Sequence, residues 1–222
     1  MDDEDFMRRA IELAERGRYS VRPNPLVGCV LVRAGEIIAE GWHDHLGGLH
    51  AEQMAIADAE SRGVETQGAI AYVTLEPCNH FGRTPPCSEA LMWAGVKKVV
   101  IGAADPNPIV RGGGLEALKR EGIDIEIGIL EKECNQQMFA FMHWCKYRRP
   151  YVLLKAATDN NGRIDGDPEK PAVRFSSKES LEMVHQIRRD SMAIIVGVNT
   201  VIRDDPKLTV RAEKISASDI IP

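Results

Sequence analysis

No apolar run in this chain is long enough to span a bilayer. Its start, MDDEDFMRRA, is acidic and lacks the apolar core of a secretory signal. Neither a membrane-spanning nor a secreted protein is expected, and the expected location is the cytoplasm, where thiols stay reduced. There is no basic excess: 28 Lys and Arg stand against 33 Asp and Glu, a net charge of −5. That argues against a general nucleic-acid binder, while leaving room for a local basic pocket for one phosphate. An even cysteine set is missing too, since five cysteines is an odd count that disfavours a disulfide framework. Internal repeats and low-complexity tracts are absent. What remains is an ordinary globular composition, 44% hydrophobic and 27% charged over 222 residues. That is enough for one large domain, or for one domain plus part of a second.

Phe6, Ala10, Leu13 and Ala14 recur at helical spacing and predict a helix over 5–17. A proline-framed turn, RPNPLVG, follows. LVGCVLV and EIIAEGW then read as two strands joined by a short Ala-Gly turn. A helix is expected from about His50 to Ser61, closed by Gly63. GAIAYVTL reads as a strand, SEALMWAG as a helix stopped at Gly95, KKVVIGAAD as a buried strand, GLEALKREG as a helix and IDIEIGI as a strand. This alternation predicts an α/β fold, a sandwich in which helices cover a mixed sheet. EKECNQQMFAFMHWCKYRRP reads as one amphipathic helix stopped before Pro150. The domain boundary is placed there, giving domains over 1–149 and 150–222. In the second, YVLLKAATDNNGRID and AIIVGV predict strands. SKESLEMVHQIRRD predicts a helix with Ser176 or Ser177 as N-cap, and NTVIRDDPKLTVR a loop. With roughly 70 residues, this α/β unit would be marginal alone.

TLEPCNHFGRTPPC places Cys78 and Cys87 nine positions apart. A disulfide, a redox pair, a structural zinc knuckle and a catalytic metal site are all open for such a pair. His50 and Glu52 sit upstream in HAE, at the start of a predicted helix. One histidine and two cysteines give three ligands, which suits tetrahedral zinc with the fourth position left for water; structural zinc sites normally close all four with protein. Zinc lowers the pKa of its water so that hydroxide exists near neutral pH and can attack an electron-poor ring carbon bearing an amino group. Glu52, two residues from His50, is expected to face the same pocket and move the protons. The H-x-E and Pro-Cys pattern is the signature of zinc nucleobase deaminases. HAE alone would mean little, and the two cysteines alone would read as buried thiols; the combination with both prolines carries the reading. A helix start at Cys78 would help keep its thiolate ionised. The wide cysteine spacing departs from the compact Pro-Cys-x-x-Cys form and makes a loop long enough to reach over a substrate. Cys29 reads as core, and Cys134 and Cys145, eleven apart, as packing thiols on one helix face. His45, His143 and His185 have no partner in the pattern. His80 can approach the site or brace its loop.

PNPLVG, GWHDHLGGLHAE, TLEPCNHFGRTPPC, DPNP and VGVNTVIRDDPKLTVR together closely resemble the bifunctional riboflavin-biosynthesis deaminase/reductase family. The resemblance implies a cytidine-deaminase-like α/β/α sandwich acting as a zinc-dependent pyrimidine deaminase. The start of a dihydrofolate-reductase-like α/β reductase domain that uses NADPH would follow it. It implies a small-molecule substrate, a diaminopyrimidinone bearing a ribosylamino 5′-phosphate, and a homo-oligomer, with no nucleic acid or membrane as partner. His50, Cys78 and Cys87 match the zinc ligands and Glu52 the proton shuttle. Asn24, His43 and Arg83 match substrate-binding residues, Arg83 being suited to a bidentate grip on phosphate. In the second domain Lys155, Thr158, Phe175, Thr200 and Asp204 match cofactor positions, and Arg188, Leu208 and Arg211 substrate positions. Two departures stand out: DNNG, with Asn161 where the family usually has aspartate, and Phe175 where it commonly has tryptophan. Competing readings are a zinc deaminase of cytidine, guanine or transfer-RNA adenosine, and a structural zinc module, which would need a fourth protein ligand.

Overall fold

The acidic start of the chain is a helix cap. Asp2 accepts from the Asp5 backbone N–H at 2.9 Å and Asp5 from the Asp2 N–H at 3.1 Å. This reciprocal pair satisfies two end donors and opens α1 (Asp3–Ala14). The structure is a computed structural model and describes residues 1–80, 85–107, 113–164 and 176–211. The chain divides into two units, Met1–Tyr151 and Val152–Pro222.

In the first unit β1 (Gly28–Arg33) and β2 (Glu36–Trp42) form a hairpin. Then α2 (Ala51–Ser61), β3 (Ile70–Leu75), α3 (Cys87–Trp93), β4 (Lys98–Ala103), α4 (Gly113–Arg120) and β5 (Asp124–Ile127) follow in turn. The sheet runs β2-β1-β3-β4-β5. It is antiparallel on both sides of β1 and parallel from β3 to β5, because α3 and α4 supply the crossovers that parallel neighbours require.

Strand alternation sorts the core into two layers. Cys29 and Leu31 of β1, Ala71 and Val73 of β3, and Val99 and Ile101 of β4 face Ala51, Ala55 and Ala59 of α2, Leu91 of α3 and Leu118 of α4. The intervening residues Val30, Val32, Tyr72 and Val100 face Phe6, Met7, Ala10 and Leu13 of α1, with Cys134 and Met138. Helices thus cover both faces of one mixed sheet. Burying each larger aliphatic side chain stabilises the fold by about 1.5–3 kcal/mol. The small alanine stripe lets α2 lie close on the sheet, and the site depends on that approach. At Gly41 of β2 a Cβ would fall on the Ala51 carbonyl and the Ala55 backbone.

The region expected to be one helix after β5 is two, α5 (Glu131–Gln137) and α6 (Phe139–Tyr147), parted at Met138 with φ −114° and ψ 26°. The hydrogen bonds Met138 N–H to Cys134 O and Met142 N–H to Met138 O survive the bend. Cys134, Met138 and Cys145 are buried on either side of it. The apolar stripe therefore runs through the bend unbroken, and periodicity carries no sign of it.

The second unit bears out one expectation and corrects three. Ser177 caps α7 (Lys178–Asp190), accepting from the Ser180 N–H at 3.2 Å. Neither YVLLKAATDNNGRID nor AIIVGV forms a strand among the described residues, and part of the expected loop is helix α8 (Val198–Asp204). A strand needs a partner for its backbone donors and acceptors. Leu154 and Ile195, each 94% exposed, lie on segments with no such ladder. No helix among the described residues is long and apolar enough to cross a membrane.

Candidate active site

Three structural joints bring distant sequence motifs together. His50 is the N-cap residue of α2. Cys78 lies just beyond β3, two residues past a Glu76 N–H that still bonds the Ala103 carbonyl at the end of β4. Cys87 opens α3. Helix α4 presses on the same loop, since a side chain at Gly114 would fall on the Pro77 carbonyl.

His50 Nδ1 is 3.1 Å from Cys87 Sγ and 3.6 Å from Cys78 Sγ, and the three donor atoms all lie within 4.8 Å of one another. Tetrahedral zinc, with bonds of about 2.0 Å to nitrogen and 2.3 Å to sulfur, wants such donors roughly 3.5–3.8 Å apart. Among the described residues this is the group of side chains that could hold a metal. Cys87 stands at the start of α3, and Cys78 does not stand at a helix start. The first amide of α3 nevertheless serves the other sulfur: the Cys87 N–H donates to Cys78 Sγ at 3.4 Å.

The electrostatics suit a cation. Hydrogen bonding from Cys87 outweighs burial and, with His50, pulls the Cys78 thiol down to about 4. Cys87, sharing that proton and fully enclosed, is pushed well up. His50 is raised by the hydrogen bond to Cys78. Glu52, buried in the first turn of α2, is pushed up to about 7 by burial and then by the Cys78 sulfur, and its carboxyl also hydrogen-bonds Cys87. Two thiols and one imidazole, with a buried carboxyl beside them, make a donor set that fits a divalent soft-to-borderline metal. All five cysteines are free.

His50, Glu52 and Cys78 line a cleft of about 280 Å³ with Asn24, Pro25, Val27, His43, Leu75, Glu76, His80, Asp105, Asn107 and Phe141. Asn24 Nδ2 is 3.1 Å from His43 Nε2, and His43 is buried rather than a surface loop histidine. Sequence reasoning missed Glu76, Asp105, Asn107 and Phe141 as cleft residues. Glu76 Oε2 accepts from the Asp105 N–H at 3.2 Å and Asp105 Oδ1 from the Asn107 N–H at 2.7 Å. Burial raises the Asp105 carboxyl. The available signals were adjacency to Pro77-Cys78 and the DPNP motif; Phe141 lines the wall from α6, beyond the break at Met138. Arg83 lies outside the described residues.

Of the second-unit candidates, Arg188, Leu208 and Arg211 come together. Arg188 Nη1 donates to the Lys207 and Thr209 carbonyls, each at 3.2 Å, and Arg211 Nη1 to the Lys207 carbonyl at 3.1 Å. Leu208 lies between Lys207 and Thr209, the two residues whose carbonyls accept from Arg188. Lys155 and Thr158 are exposed on the segment before α7, and Thr200 and Asp204 are exposed on α8. Phe175 lies outside the described residues.

Residues 1–103 match the family model of the cytidine and deoxycytidylate deaminase zinc-binding region, and residues 150–219 that of the RibD C-terminal domain. The riboflavin biosynthesis protein RibD of Actinobacillus pleuropneumoniae is 47% identical over 212 residues, 95% of this chain and 55% of the relative. The Acinetobacter baumannii RibD structure superposes with a TM-score of 0.88 at 44% identity, covering 98% of this chain and 60% of that one. The crystal structure of a diaminohydroxyphosphoribosylaminopyrimidine deaminase/5-amino-6-(5-phosphoribosylamino)uracil reductase from Thermotoga maritima gives 0.89 at 42% identity, covering 96% and 60%. This chain, spanning little more than half the length of these relatives, belongs to the RibD family of bifunctional riboflavin-biosynthesis proteins, with a deaminase zinc-binding domain followed by part of the reductase domain.

Proposed function

We propose that the first unit catalyses the hydrolytic deamination step of riboflavin biosynthesis. The substrate is 2,5-diamino-6-(5-phosphoribosylamino)pyrimidin-4(3H)-one; the products are 5-amino-6-(5-phosphoribosylamino)uracil and ammonia. The observation that carries the proposal is the buried Glu52 carboxyl set beside the His50, Cys78 and Cys87 donors at one cleft.

His50 Nδ1 and the sulfurs of Cys78 and Cys87 would hold the zinc, which when bound activates water as a nucleophile. Glu52 takes the proton from that water and delivers it to the ring nitrogen beside the attacked carbon. It would then take the proton of the hydroxyl newly added to that carbon and hand it to the departing amine, which leaves as ammonia as the carbon–oxygen double bond forms. Burial suits the carboxyl to both tasks, because a group poised near neutrality can accept and donate in turn. Asn24 supplies an amide to the ring edge, held by His43, and Glu76 and Asp105 give the opposite side acceptors for amino groups. Arg83 is assigned the substrate phosphate. As part of a full RibD C-terminal domain, the second unit is assigned to NADPH-dependent reduction, with Lys155, Thr158, Phe175, Thr200 and Asp204 as cofactor residues and Arg188, Leu208 and Arg211 as substrate residues.

The test is ammonia release by the zinc-loaded chain from the diaminopyrimidine phosphate, beside cytidine, guanine and adenosine-containing transfer RNA. Turnover confined to the phosphorylated intermediate supports the assignment; turnover of the others alone overturns it.

A further inference from the structure

Gln53 sits one residue past Glu52, in the first turn of α2, and has no part in the proton chemistry. Its two ends are nevertheless both engaged. The His50 backbone N–H donates to Gln53 Oε1 at 3.3 Å, and Gln53 Nε2 donates to the Pro85 carbonyl at 2.8 Å. The amide orientation follows from the partners, since a backbone N–H can only donate and a carbonyl can only accept. The first contact is the usual half of a capping box. The second is not required by any helix cap. It ties the start of α2 to a residue two positions before Cys87.

The location matters because the other bonds at the start of α3, from the Ser88 N–H to the Cys78 carbonyl at 3.2 Å and from the Ser88 hydroxyl to Asn79 at 2.9 Å, do not reach α2. Pro86, the N-cap of α3, has no N–H to anchor it. The Cys87 N–H is already directed at Cys78 Sγ. Resting on the zinc reading above, we infer that Gln53 is a positioning residue for the metal site. It is a neutral clamp that fixes His50 and Cys87 relative to each other before metal arrives, with one amide touching the chain on both sides. A preset donor separation lowers the ordering cost of binding, as partners of metal ligands generally do.

The experiment measures zinc affinity of the full chain by chelator competition, with thermal unfolding of the metal-free form and the visible spectrum of the cobalt-loaded form alongside. Gln53→Met keeps the bulk and loses both bonds; it should weaken zinc binding about tenfold, within the range known for such outer partners. Gln53→Glu keeps the acceptor for the His50 N–H but sets an anionic oxygen against the Pro85 carbonyl. It should leave metal-free unfolding unchanged, yet weaken zinc and alter the cobalt ligand-field bands despite its added negative charge. Zinc affinity of Gln53→Glu within twofold of wild type, with an unaltered cobalt spectrum, overturns the clamp and leaves Gln53 a helix cap. A wild-type chain that takes up no zinc overturns the metal reading and the clamp together, so the two failures are distinct.

Discussion

The Asn24 side-chain amide lies 3.1 Å from His43 Nε2, while His43 Nδ1 reaches the Leu49 carbonyl at 2.8 Å. A carbonyl can only accept, so Nδ1 carries the proton and Nε2 accepts from the Asn24 NH₂. The Leu49 carbonyl thereby fixes the His43 tautomer, and His43 Nε2 fixes the orientation of the Asn24 amide in the cleft. The His43 ring also stands edge-on to His50, with centroids 5.6 Å apart.

His43 is accordingly expected to titrate below the ordinary histidine value of about 6.5, burial being the main cause. A folded-state pKa below the unfolded one means that its stabilising contribution is fully present above the unfolded value. That contribution is lost as pH falls through the folded one. Ring-proton NMR titration checks this directly, and a value at or above 6.5 would contradict it. His43→Ala should leave the Leu49 carbonyl and the Asn24 amide without their partner and cost about 1–3 kcal/mol by denaturant unfolding.

Glu52→Gln removes the titrating carboxyl while keeping its volume. Zinc content should stay at the wild-type level, because Glu52 is not among the three donor residues. Ammonia release should fall about 10²- to 10⁴-fold, the usual contribution of a positioned acid–base group. Wild-type turnover in this variant would remove Glu52 from the mechanism.

Chelation should destabilise the first unit. Zinc held at 100 times its dissociation constant contributes about 2.7 kcal/mol. At about 2–4 °C per kcal/mol for a chain of this size, stripping should lower the unfolding midpoint by roughly 5–11 °C, and added zinc should restore it. Cys78→Ser should show a low midpoint that added zinc raises far less.

Gly41→Val tests the approach of α2 to the sheet. A side chain there meets the Ala51 carbonyl and the Ala55 backbone, so the helix carrying His50 and Glu52 must move. Overpacking of this kind costs about 1–3 kcal/mol, read by denaturant unfolding, and zinc affinity should fall with it. Retained stability together with retained affinity would mean that α2 has more freedom than the packing implies.

NADPH titration addresses the second unit. Lys155 and Thr158 lie on one exposed segment, and Thr200 and Asp204 on exposed α8. Nicotinamide fluorescence is expected to show no saturable binding by this chain at concentrations up to about 1 mM, the weak end of specific affinity. Saturation at micromolar levels would show that these residues already form a cofactor site.

The donor set was legible in the sequence. His50, Cys78 and Cys87 declare themselves by residue type, because few side chains bind a soft-to-borderline metal, and Glu52 follows from its place two residues after His50. The helices and strands of the first unit were legible as well, since two hydrophobic periods, near 3.6 and 2, dictate which faces must be buried. Three things were decided only by packing. Helix α3 aims its first N–H at Cys78 although Cys87 carries the helix start, a matter of loop path. The bend at Met138 leaves no trace in an apolar stripe that continues across it, and Phe141, which lines the cleft, follows that bend. The burial of His43 could not be read locally, because its environment is made by Leu49 and Asn24, which share no local pattern with it. The apolar runs of the second unit show the same limit from the other side. A β-rich composition states a preference, but strand formation rests on hydrogen bonds to a neighbour, and only the tertiary structure supplies or withholds one.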